Sequence, residues 1–75
     1  MKELALFLAK NLVERPEDVS VSATEEDGVT QILLSVADED KGKVIGKQGK
    51  VIKAIRSVVG VAAAKHGRRV MLDLE

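Results

Sequence analysis

Between residues 2 and 14, Leu4, Ala5, Leu8, Ala9 and Leu12 recur at helical spacing and share one broad face. Lys2, Glu3, Lys10, Asn11 and Glu14 lie opposite. The pattern predicts a helix over 2–14. Pro16 closes it, because the residue before a proline is biased away from helical angles. Phe7 falls near the edge of the polar side and is expected at the periphery of the core. The period then changes to two. Val19, Val21 and Ala23 alternate with Ser20, Ser22 and Thr24, which predicts a half-buried strand. Asp27-Gly28 is a hairpin signal. A second strand runs from about Val29 to Val36, with Ile32, Leu34 and Val36 on one face and Gln31 and Ser35 on the other. Its apolar density suits a central position.

Helical spacing returns after Val36. Asp38 has the character of an N-cap, with Glu39 and Asp40 in the first turn of a short helix that ends near Ile45. Gly42 weakens that helix by roughly 1 kcal/mol relative to alanine, so close packing or close ligand approach is expected there. A longer helix is predicted from Lys50 to Lys65. Its apolar stripe is Val51, Ile55, Val58, Val59 and Ala62, flanked by Ile52 and Ala54. Gly67 suits a C-terminal cap. Residues 69–75 read as a last strand with Val70, Leu72 and Leu74 inward. The fold class is α+β, in the order α-β-β-α-α-β. The hairpin is antiparallel, and the two-helix crossover makes the second and last strands parallel. The result is one domain over residues 1–75, a three-stranded mixed sheet with three helices on one face.

Charge changes the picture more than composition does. The net charge is zero. Yet residues 1–40 carry three basic and ten acidic side chains, while residues 41–72 carry nine basic ones and no carboxylate. The absence of cysteine excludes disulfides and thiolate metal sites. His66, the single histidine, cannot build a metal site alone and reads as a capping or surface residue. No metal or cofactor is expected. No apolar run has the length of a membrane span, and the first residues lack a signal-peptide pattern, so the expected location is cytoplasmic. Phe7 is the only aromatic residue, which argues against folds that stack bases on aromatic rings.

The basic half is centred on Val44-Ile45-Gly46-Lys47-Gln48-Gly49-Lys50-Val51-Ile52. Two glycines flank two polar residues, and apolar pairs flank the glycines. Glycine permits backbone angles and close approaches that a Cβ blocks. A tight turn with exposed N–H groups at the start of a helix suits a phosphate backbone, with Lys47 and Lys50 on its rim. A P-loop is excluded. The segment from Gly42 to Lys47 has one residue too few between its glycines, and Gln48 stands where Ser or Thr is required. Lys50, Lys53 and Arg56 can reach phosphates or simply be solvated. Few side chains near the turn could read base edges in a duplex, which places a DNA-reading helix-turn-helix third among the readings. No arrangement of carboxylates or nucleophiles points to an enzyme.

Ile45-Gly46-Lys47-Gln48-Gly49-Lys50-Val51-Ile52 resembles the Ile-Gly-x-x-Gly-x-x-Ile signature of KH domains. The element order resembles the type II KH arrangement over the whole chain, and the length is similar to the small stand-alone bacterial proteins of the KhpA family. The resemblance implies a non-catalytic single-stranded RNA-binding protein, an RNA chaperone or post-transcriptional regulator. Its loop would clamp the backbone of about four nucleotides. By position, Gly46 and Gly49 would admit the sugar-phosphate chain, and Lys47 and Gln48 would contact phosphates. Lys50 and Lys53 would add charge. Val44, Ile45 and Ile52 would floor a base groove between the helices and the sheet edge. Without stacking, one copy would bind weakly and with low selectivity, and two copies would add avidity.

Ser57, Gly60 and Ala64 form a small-residue strip on the exposed side of the long helix, with Val61 and Ala63 beside it. Small side chains let another helix approach, so a homodimer is expected on Ser57, Gly60, Val61 and Ala64. The resemblance also implies pairing with a larger KH-domain protein, KhpB, and a link to cell shape. A protein-interaction module with minor RNA binding is the alternative reading.

Overall fold

The computed structural model describes all 75 residues. Its elements are α1 (Lys2–Lys10), β1 (Ser20–Glu26), β2 (Val29–Ser35), α2 (Lys41–Ile45), α3 (Lys50–Lys65) and β3 (Arg69–Leu74). The strands lie in the order β1-β2-β3. β1 and β2 are antiparallel and β2 and β3 parallel, so β2 is central, as its apolar density predicts. Asp27 and Gly28 both take positive φ, 53° and 78°. That is the mirror-image two-residue turn whose twist matches the flanking strands.

The core lies between the sheet and the helices. Ala5 and Ala9 of α1, Ile32 and Leu34 of β2, Val44 of α2, and Val59 and Ala63 of α3 are fully buried. Alanines on α1 let that helix sit close to the sheet. Each valine, leucine or isoleucine side chain withdrawn from water in this core contributes about 1.5–3 kcal/mol. No helix is long and apolar enough to cross a membrane.

Four expectations need correcting. First, α1 ends at Lys10 rather than residue 14. The Asn11 side chain donates to the Phe7 carbonyl at 2.8 Å, and its backbone N–H reaches the same oxygen at 3.2 Å. That local competition favours leaving the helix. A distant carboxylate completes the change: Asp40 accepts from the Glu14 and Arg15 N–H groups at 3.1 and 3.0 Å. Leu12 consequently stands exposed, and Phe7, at 63% exposure, is a surface residue and not part of the core margin.

Second, Asp38 makes no side-chain cap. Residues 38–40 form a 3-10 turn entered from Ala37, and Asp38 instead pairs with Lys41 at 3.2 Å. Asp40, 1% exposed, is the buried carboxylate, and its two N–H donors offset the loss of water. Arg15 beside it hydrogen-bonds Glu39 and faces Asp18, and these anions push its guanidinium further up from its ordinary value.

Third, α3 has the expected bounds, but its buried stripe is rotated. Ile52, Ile55, Val59 and Ala63 face the core, whereas Val58 is exposed. Fourth, Gly42 has open space where a Cβ would stand, so packing does not require it. The first strand also changes character along its length: Val19 is buried, Val21 half-buried and Ala23 exposed. At the far end of α3, Gly67 takes φ 68°. Its N–H bonds Ala64 O at 3.0 Å, and the Arg68 N–H bonds Ala63 O at 2.9 Å, the pairing of a glycine cap.

Candidate nucleic-acid interface

Gly46 ends α2 and Gly49 starts α3, and the four residues between the helices form one tight turn. Gly46 has φ 75° and ψ 173°, a region open essentially to glycine alone. It is also crowded. A Cβ there would lie 2.7 Å from Val51 Cβ and 2.8 Å from Val51 N. Gly49 has φ 76° and ψ 14°, in the left-handed region, but its Cβ position is open, with Lys53 Cε nearest at 3.9 Å. Gln48 between them is also left-handed, with φ 58° and ψ 25°. The two glycines therefore answer different demands. Gly46 permits close approach to α3, and Gly49 permits the backbone turn.

The turn uses several of its own N–H groups. Gly46 N bonds Gly42 O at 2.9 Å, Gly49 N bonds Gly46 O at 3.1 Å, and Lys50 N bonds Lys47 O. These bonds hold the loop's shape. They leave the exposed side chains of Lys47 and Gln48 as its principal outward groups.

The nearby cations divide by partner. Lys41 pairs with Asp38, Lys43 with Glu14 and Arg56 with Asp73. Lys47, Lys50 and Lys53 form no ion pair, and all three are exposed. Of the three proposed floor residues, Val44 is fully buried and Ile52 is 7% exposed, so both serve mainly as packing. Ile45, at 41%, presents real surface beside the loop. Ser57, Val61 and Ala64 are exposed, and Gly60 has open space around its Cβ position.

One contribution from the sheet was not anticipated. Arg56, Val70, Met71, Leu72 and Asp73 line a groove of about 300 Å³ between α3 and β3. Arg56 Nε donates to the Leu72 carbonyl at 2.7 Å, and its Nη2 reaches Asp73 at 3.1 Å. Met71 stands largely exposed there. The alternation of β3 already carried that signal, since inward Val70, Leu72 and Leu74 send Met71 outward.

An α-β-β-α-α-β chain with a mixed sheet and a Gly-x-x-Gly turn between its second and third helices is a KH domain. The comparisons carry this to a particular family. The family of KhpA/KhpB KH domains matches residues 2–74, and the chain belongs to it. It is 47% identical over 74 residues to the RNA-binding protein KhpA of Clostridium perfringens, covering 99% of each chain. It is 51% identical to the RNA-binding protein KhpA of Halalkalibacterium halodurans, covering 99% of this chain and 97% of that one. Among solved structures it is similar to a variant of Era from Aquifex aeolicus crystallised with GDP and tetrafluoroaluminate, with a TM-score of 0.70 and 26% identity. That likeness covers 96% of this chain but 28% of Era, so it concerns one domain of the larger protein.

Proposed function

We propose that this protein is a non-catalytic binder of single-stranded RNA, acting in the cytoplasm as an RNA chaperone or post-transcriptional regulator. The observation that carries the reading is the glycine-held turn, with Lys47, Lys50 and Lys53 unpaired around it while the neighbouring cations are neutralised. The names of the relatives agree with it. The RNA backbone passes over Gly46 and Gly49, phosphates meet Lys47 and Gln48, and Lys50 and Lys53 add long-range attraction. Bases lie against Ile45 and the α3–β3 groove, with Val44 and Ile52 supporting from beneath. With no aromatic platform, the loop holds backbone more than it reads sequence.

The test is a titration of single-stranded RNA, single-stranded DNA and duplex DNA against wild type and a Lys47→Asp, Gln48→Asp variant at several salt concentrations. RNA affinity should fall with salt and collapse in the variant, with the far-UV circular dichroism unchanged. Equal RNA binding by the variant would falsify the loop assignment, and a preference for duplex DNA would favour the helix-turn-helix reading.

A second surface supports self-association. Val58 and Val61 of α3, on either side of the open Gly60, are exposed large apolar residues, as are Phe7 of α1 and Leu12 just beyond it. In this reading a second copy, or the KH domain of a KhpB-like protein, packs against Ser57, Gly60, Val61 and Ala64. Gly60→Phe should lower the mass measured by light scattering to that of a monomer. An unchanged dimer mass counts against the strip.

A further inference from the structure

The twelve basic side chains sort into two classes. Arg15, Lys41, Lys43 and Arg56 form ion pairs. The other eight do not. Lys47, Lys50 and Lys53 belong to the loop, and Lys10 stands apart. The remaining four are Lys2, Lys65, Arg68 and Arg69, at the opposite end of α3. The 16 residues of that helix separate the two groups by about 24 Å.

Lys2 and Arg68 share a cleft of about 590 Å³ with His66, Glu3, Glu25 and Thr30. It is the largest concavity in the molecule. Lys65 flanks it in sequence, and Arg69 opens β3 at the sheet edge, on the outward face that carries Met71. The negative end of the α3 dipole accounts for Lys65, which lies in the last turn. It does not account for Arg68 and Arg69. Both follow the Gly67 cap, where the dipole's influence has fallen away, and neither has a hydrogen-bonded side-chain partner. The bonded cap fixes the turn that presents them. Guanidinium groups suit phosphate, which they bind bidentately. The cleft has no large apolar anchor besides Met1, so it lacks the centre a protein interface is built around. The α3–β3 groove is lined by Arg56, one turn along α3 from Lys53, and by Val70, the residue after Arg69.

We infer that Lys2, Lys65, Arg68 and Arg69 form a second phosphate-binding surface, which takes the backbone of the same RNA beyond the segment held by the loop. Glu3 and Glu25 bound it on the acidic side. The inference rests on the proposed RNA reading. It adds that ligand length matters: an RNA that only fills the loop gains nothing from this end.

The experiment compares oligouridylates of about 5 and about 20 nucleotides, the shorter one just exceeding the four-nucleotide clamp of a KH loop. Each is titrated by fluorescence anisotropy against wild type, Arg68→Gln/Arg69→Gln and the loop variant. Losing two phosphate contacts should flatten the single-strand salt slope by about 1.4, so the deficit of the arginine variant on the long RNA should grow about sevenfold between about 200 and about 50 mM salt. Its affinity for the short RNA should match wild type. Because both arginines are exposed, the melting temperature should stay within about 4 °C, as expected for surface substitutions. An unchanged slope on the long RNA overturns the proposal and leaves a protein contact as the use of this end. An equal loss on both lengths also overturns it. If the loop variant alone keeps full affinity, the loop reading fails while the arginine slope still decides this one.

Discussion

Replacing Gly46 with alanine tests the geometry of the loop most directly, and Gly49→Ala is its internal control. Both glycines have nearly the same φ, 75° and 76°. Gly49 lies in the left-handed α region, where an L-residue costs about 1–2 kcal/mol. Gly46 lies at ψ 173°, where strain of about 1–3 kcal/mol is expected. Only Gly46 also meets atoms that cannot swing away, the Cβ and backbone nitrogen of Val51 at 2.7 and 2.8 Å. Forcing a methyl group into packed surroundings costs a further 1–3 kcal/mol or about that. The sum for Gly46→Ala is about 2–6 kcal/mol, against a total stability of about 4–11 kcal/mol for a chain of this length. The chain has no tryptophan or tyrosine, so thermal unfolding is best followed by far-UV circular dichroism. At roughly 4–8 °C per kcal/mol, Gly46→Ala should melt at least about 8 °C below wild type. It should also melt below Gly49→Ala by about 4 °C or more. Equal melting temperatures for the two variants would mean that the Val51 contact does not constrain the turn.

Asp40→Asn should destabilise by about 1.5–3 kcal/mol, because one amide oxygen cannot serve both the Glu14 and Arg15 N–H groups. Faster hydrogen exchange at those two amides, read by NMR, checks that the loss is local to this contact. Gly42→Ala should raise the melting temperature by about 4–8 °C, since its Cβ meets nothing and alanine is the better helix former by about 1 kcal/mol; a lower melting temperature would contradict the open space. If Gly42 is kept small for a ligand, the same variant should weaken RNA binding measured by anisotropy while gaining stability. Arg56→Ala should cost about 0.5–1.5 kcal/mol in chemical denaturation, through the lost bond to the Leu72 carbonyl. No change would assign that bond to the surface alone.

Local chemistry made much of the fold legible. The Asp27-Gly28 turn, the alternation of β2, the bounds of α3 and the Gly67 cap are each encoded within a few residues, and each stands where the residues put it. What was not legible depends on partners far away in the chain. α1 stops early because Asp40, more than twenty residues on, takes the N–H groups of Glu14 and Arg15. The stripe of α3 is rotated, with Ile52 and Ala63 buried and Val58 exposed, because helical spacing alone leaves that rotation free by about one residue. In the candidate interface, the glycines and lysines were readable as residue types. Which cations are already neutralised was not, because Glu14 and Asp73, the partners of Lys43 and Arg56, come from other parts of the chain; only the Asp38–Lys41 pair is local.

The wedge of Gly46 against Val51 bears on time as well as shape. A turn held by its own hydrogen bonds and by a neighbouring side chain needs no rearrangement before it meets a ligand. Encounter is then limited by diffusion and orientation, at rates near the upper end of about 10⁵–10⁷ M⁻¹s⁻¹ for unsteered association. At an affinity of about 1 μM, such a rate would give a residence of about a tenth of a second. A protein with that kinetic character samples many transcripts in quick succession and gives way readily to machinery moving along them.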